Sequence, residues 1–132
     1  MPITPINPPG LFRPYANYAH AVSVPAGART LYVSGLNGYE FDGVTMPLDF
    51  EGQAKLVWRH LNVLLGAANM EFDDLVSLRF YLASAADEPA NLALLAAHLG
   101  DHVSARTVVC QQLLEPEWLI ELEAIAAKVD PI

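Results

Sequence analysis

Cysteine is nearly absent from these 132 residues, cationic side chains are scarce, and no long apolar run occurs. The single cysteine, Cys110, excludes an internal disulfide. One cysteine and four histidines without ligand spacing predict no metal site. Seven Lys and Arg stand against fifteen Asp and Glu, a formal charge of −8 with a pI near 4.7. The cations are scattered, and an acidic chain repels phosphate backbones, so no nucleic-acid partner is expected. No stretch of about 18 apolar residues exists, which predicts no membrane-spanning helix. The opening MPITPINPPG has neither a basic start nor an apolar run, and does not read as a signal peptide. A reducing, cytoplasmic setting is the expectation.

Apolar residues are plentiful, at 53% with a mean hydropathy of +0.27. That is rich for one small domain, and surplus apolar surface points to a subunit interface. Residues 1–14 hold five prolines and a glycine. Proline fixes φ and removes donors, so this stretch reads as an extended arm ahead of a single domain over 15–132. Such an arm lies across a neighbouring surface or is loose.

Alternation and turn chemistry predict strands over 18–24 and 29–34, joined by a hairpin-like turn at Pro25-Ala26-Gly27. Asp49 is a good N-cap, and Val57, Leu61, Leu64, Leu65 and Ala68 form one apolar stripe on a helix over 50–68. A strand follows over 75–82. Asp87 can cap a second helix, buried through Leu92, Leu95, Ala96 and Leu99 and ended by Gly100. Strands over 106–111 and 119–126 close the chain as an expected antiparallel pair. The order is β-β-α-β-α-β-β, an α+β fold with one mixed sheet and two helices on one face. The other face needs cover, and a second subunit is the economical source.

Arg106 opens a strand among apolar neighbours. It reads either as a surface ion pair or as a guanidinium fork for a carboxylate. Glu121 and Glu123 alternate in an apolar strand and so share one face. They are either solvated or set to handle a water. Pairing of the last two strands would set Arg106 across from them. Ser34-Gly35 ends a strand where a ligand can approach backbone. Tyr18 and Asn91 carry little signal alone. His20, His60, His98 and His102 form no pattern, and Cys110 reads as a small buried apolar residue. Neither a Gly-rich phosphate loop nor a G-x-S-x-G elbow is present.

Taken together, YAHAV with Tyr18, LYVSG with Ser34 and Gly35, Gln53 with Asn62, SART with Arg106 and ELEAIA with Glu121 resemble the RidA/YjgF family of reactive-intermediate deaminases. The resemblance covers about residues 15–127 and rests on order and spacing. It implies a chorismate-mutase-like homotrimer with a central barrel-like core and sites between neighbouring subunits. It implies that Arg106 binds a substrate carboxylate, Glu121 positions water, and Tyr18 lines the pocket from the adjacent protomer. Ser34 and Gly35 would flank the acid, the Val108 backbone would meet the reacting nitrogen, and Asn91 would lie nearby. The implied reaction converts small 2-imino or 2-enamino acids to 2-oxo acids and ammonia without metal or cofactor. Three positions depart from the family's habit: Ser104 replaces a proline, Leu36 a glutamine and Val108 a cysteine. With Phe41, Trp58 and Trp118 available, these departures leave open a pathway-specific deaminase or tailoring enzyme acting on an aminomuconate-like or natural-product intermediate. A non-catalytic module that binds a small acid is a further alternative.

Overall fold

A computed structural model describes residues 3–132. Six strands and two helices follow in the order β1 (Thr4–Ile6), β2 (Ala21–Ser23), β3 (Arg29–Leu36), α1 (Phe50–Ala67), β4 (Leu75–Leu82), α2 (Glu88–Leu99), β5 (Ala105–Cys110) and β6 (Ile120–Lys128). The main sheet runs β3-β6-β4-β5, and β1 and β2 form a separate antiparallel ribbon. This is the expected α+β arrangement of a mixed sheet with two helices on one side.

Two expectations about strand partners fail. The turn at Pro25–Gly27 forms, with Gly27 at φ 81°, but the strands it joins part company. β2 pairs with β1, so residues 4–6 of the arm bind their own chain, and β3 pairs with β6. β5 and β6 are not neighbours, because β4 lies between them, parallel to β5 and antiparallel to β6. A strand–helix–strand crossover returns the chain in its original direction, which favours the parallel β4–β5 pair.

Helix α1 begins where the Asp49 side chain accepts from Gly52 N. Its buried face comprises Phe50, Gln53, Ala54, Val57, Trp58, Leu61 and Leu65, while Leu64 turns outward. These residues pack with Leu95 and Leu99 of α2 onto Val33, Leu78, Phe80, Leu82, Ile120, Leu122, Ala124 and Ala126 of the sheet. The opposite sheet face is left open by this chain. It mixes polar and apolar groups: Tyr32 is 77% exposed, beside Ser34, Ser77, Arg79, Glu123 and Ile125. Exposed apolar bulk also sits on loops, at Phe41, Val44, Leu48 and Leu114. No helix among the described residues is long and apolar enough to cross a membrane.

Gln53 is buried in α1, yet its amide is fully occupied. Its Nε2 donates to the carbonyls of Pro47 and Glu117, each at 2.9 Å, and its Oε1 accepts from Leu119 N at 2.9 Å. One side chain thus ties two irregular segments to the helix. Replacing it with an apolar residue strands three part-buried backbone groups. Gln53→Leu should therefore lose about 3 kcal/mol of stability, read as a lower urea midpoint.

The C-terminal end is held by Arg29, whose Nε and Nη2 reach the Asp130 carboxylate at 2.7 and 2.9 Å, while Nη1 reaches Ala68 O at 2.8 Å. The hydrogen bonds from Arg29 hold the Asp130 carboxyl below the usual carboxylate range. A carboxyl depressed on folding stabilises above its unfolded value, near about 4, and stops doing so as pH falls through the folded one. Asp130→Asn should therefore melt below wild type at neutral pH, and the gap should close under acid.

Candidate functional site

Arg106 is the second residue of β5, in register with Leu78 of β4. Leu78 and Val108 face the helices, so Arg106 starts from the covered side of the sheet. A parallel bridge between Ala19 and Ala105, with Ala19 N donating to Ser104 O at 2.9 Å, lays residues 17–19 along the start of β5. Ala16 adopts a left-handed φ of 63°, unusual for a residue with a Cβ, at the bend that delivers this segment. Asn17 O then accepts from Arg106 Nη1 at 3.2 Å, and the Tyr18 ring lies 5.1 Å from the guanidinium carbon. This is cation–π geometry.

Arg106 is half-buried, and burial pushes its pKa down while Glu88 and Tyr18 pull it back up. An arginine remains charged under any such shift. Among the described residues no carboxylate reaches ion-pair distance of it, whereas Arg29 and Arg79 each have one. Glu88 accepts from Asn91 Nδ2 at 3.2 Å. Asn91 is fully buried, and its Oδ1 has no partner. Glu88, whose charge acts on Arg106, thus also holds the amide nitrogen of a buried asparagine whose oxygen is orphaned.

Glu121 belongs to the other side. Its β4 neighbour is Tyr81, and the face it shares with Glu123 is the open one. The two acids differ in what holds them. Glu123 accepts from Tyr81 Oη at 2.5 Å and lies 3.6 Å from Arg79 Nη1. Glu121 has a single donor, Asn37 Nδ2 at 3.3 Å. It borders a recess of about 600 Å³ with Gly35, Tyr81, Gln111 and Trp118. A bulge makes room for it, since Val33 pairs with Ala124 and Leu36 with Leu122, leaving Ser34 and Gly35 opposite a single residue. A Cβ at Gly35 would overlap the Glu121 carboxylate.

The expected site residues therefore fall into two groups. Arg106, Tyr18 and Asn91 gather on one side, with Glu88 and Asn17 O added. Gly35 and Glu121 gather on the other, with Asn37, Tyr81 and Trp118 added. The expected strand pairing of Arg106 with Glu121 fails, because β4 separates their strands and the pleat aims them apart. Tyr18 was expected to reach the pocket from an adjacent protomer, but within this chain its ring lies over its own Arg106. Ser34 lines a smaller hollow of about 270 Å³ with Arg79 and Glu123. The Val108 side chain packs against the core, and the outer edge of β5 beyond Ala105 has no strand partner among the described residues. Cys110 is exposed, not buried, because it ends an edge strand. Glu88 passes for an ordinary helix-start acid in the sequence, and Asn37 for a loop residue.

Residues 11–128 match the family model described as Endoribonuclease L-PSP. The chain belongs to that family. Membership of L-PSP supports a small-molecule deaminase or an endoribonuclease-like role. The L-PSP chain is similar to a Yersinia pestis protein of the Rid family, YyfB, of unknown function, at 30% identity and a TM-score of 0.82, covering 97% of this chain and 100% of that one. It also resembles RidA from the Antarctic bacterium Psychrobacter, at 24% identity and a TM-score of 0.70 over 93% of this chain and 92% of that one; at that identity the likeness is one of fold. A stretch of 75 residues, 57% of this chain, is 33% identical to the Escherichia coli RutC family protein YjgH, and spans 56% of that relative's length.

Asn91 supplies a test of whether this cluster is kept for stability. A buried acceptor without a donor costs about 1–3 kcal/mol. Asn91→Leu should therefore gain about 1 kcal/mol of stability, read as a higher urea midpoint. A loss of stability would mean that the Glu88 contact outweighs the orphaned oxygen.

Proposed function

We propose that this L-PSP chain hydrolyses small 2-imino or 2-enamino acids to 2-oxo acids and ammonia, at sites completed by two copies of the chain in a homotrimer. The observation that carries the reading is Arg106, a half-buried guanidinium with a ring on one face, one backbone carbonyl and, among the described residues, no carboxylate of its own. A planar fork with free N–H donors matches a carboxylate in two parallel hydrogen bonds. The alternative nucleic-acid role finds no footprint in a chain carrying seven cations against fifteen acids.

In this reading Arg106 holds the substrate carboxylate and Tyr18 fixes the plane of the guanidinium. The Val108 backbone offers a free strand edge on the same strand. Glu121 takes a proton from a water, whose oxygen bonds to the imine carbon and gives a carbinolamine. That proton passes on to the nitrogen; the carbinolamine's hydroxyl proton then follows it by way of Glu121, the C–N bond breaks, and ammonia leaves as the carbonyl forms. Imines hydrolyse unaided in water, so positioning and one base suffice. Ser34 and Gly35 border the region where the acid would lie. The need for two copies follows from the opposite aims of Arg106 and Glu121: a neighbour's Glu121 recess would have to meet this chain's guanidinium.

The test follows imines generated by an amino-acid oxidase. Arg106→Ala and Glu121→Gln should each lower kcat/KM by about 100-fold or more, the range for losing a positioned base or anchor. Co-expression of the two variants should restore part of the activity, because some interfaces then pair an intact Arg106 with an intact Glu121. Equal decay with wild type and Arg106→Ala would end the catalytic reading. Inactivity of the mixture would end the two-copy site.

A further inference from the structure

Trp118 is the least explained side chain around the Glu121 recess. It lies in the irregular connection between β5 and β6, where a half-exposed indole would ordinarily be free to turn. Instead it is fixed from three directions. Its Nε1 donates to Tyr39 Oη at 2.9 Å, and the two rings meet edge to face at 6.3 Å. The Tyr39 carbonyl is hydrogen-bonded to the His60 ring of α1 at 2.6 Å. The backbone on both sides of the indole, at Glu117 O and Leu119 N, is held by buried Gln53. Gly38 lies so close to α1 that a Cβ there would strike the Gln53 backbone, which holds the Tyr39 loop against the same helix.

A rigid indole on the wall of an open recess presents a fixed flat surface. Tyr81 stands on the same recess and its hydroxyl is tethered to Glu123, so a second ring is held as well. At about 600 Å³ the recess falls in the range of pockets that take a whole drug-sized molecule. That is far more room than a substrate with a methyl or ethyl side chain needs. Gln111, Gln112 and Asn37 add amides to the lining and Leu113 and Leu114 add apolar surface, while Glu121 is its one charged group. An occupant with a planar, uncharged, unsaturated side chain fits this chemistry better than a short aliphatic or an ionic one.

We infer that Trp118 is a specificity-determining residue, and that the preferred substrates are imino acids with an aromatic or conjugated side chain that stacks on its indole. The inference rests on the deaminase reading for its reaction, and on the recess alone for its choice of ligand. Tyr39, His60 and Gln53 act through Trp118 as positioning residues. Stacking on a preset ring contributes on the order of tenfold in affinity.

Two measurements test it. In the first, wild type and Trp118→Leu compete the imine of phenylalanine against that of alanine. The kcat/KM ratio should favour phenylalanine in wild type and fall about tenfold in the variant, through KM. An unchanged ratio overturns the inference. The second needs no turnover. Phenylpropanoate, but not propanoate, should alter the tryptophan fluorescence of wild type. Trp118→Phe should abolish the change, leaving the signal of buried Trp58. A phenylpropanoate response without acceleration of any imine would remove the deaminase reading and leave the aromatic-binding wall standing. Imine hydrolysis with equal response to both acids would do the reverse.

Discussion

The placement of β4 between β5 and β6 governs this molecule. A strand–helix–strand crossover sets β5 parallel to β4, and an antiparallel return sets β6 on the other side of β4. The two-residue period of the pleat then decides which way each side chain faces. Arg106 follows Leu78 to the helix side, and Glu121 follows Tyr81 to the open side. Neither orientation can change alone, because a slip of one residue would drive Phe80 and Leu122 out of the core and their polar neighbours into it. The chemistry of the chain is thus divided in two by the same register that buries its apolar residues.

Each half depends on irregular backbone attached to that regular frame. On the Arg106 side, the left-handed bend at Ala16 and the single bridge at Ala19 bring a ring and a carbonyl to a strand edge that the sheet itself leaves bare. On the Glu121 side, a bulge at Ser34-Gly35 and the Gln53 strut hold two loops against α1 and keep the recess open. Partly desolvated charge and an orphaned amide oxygen are both unfavourable for folding. The apolar packing around Trp58, Phe80 and Leu122 offsets them.

Much of the frame was legible from local pattern. The α1 stripe, the Asp49 cap and the β4 and β6 alternation all arise from neighbours close in sequence, and each element lies where periodicity puts it. Partner choice is not local. Nothing in YAHAV or ARTVVC shows that one meets the arm and the other lies parallel to LVSLRFYL, so the pairing expected between the last two strands fails. The same limit hid Glu88 and Asn37, whose importance comes from what lies opposite. Arg106 and Glu121 stood out as charges in apolar strands. Yet only the hydrogen bonds separate Glu121, with its single donor, from Glu123, which Tyr81 and Arg79 occupy.

Gly35 carries a consequence for how such a chain can diverge. The space a side chain would need there is already filled by the Glu121 carboxylate. Positions far apart in sequence therefore share one volume. A side chain gained at 35 would displace the acid from where it now rests, so descendants that abandon the acid lose one reason to retain glycine.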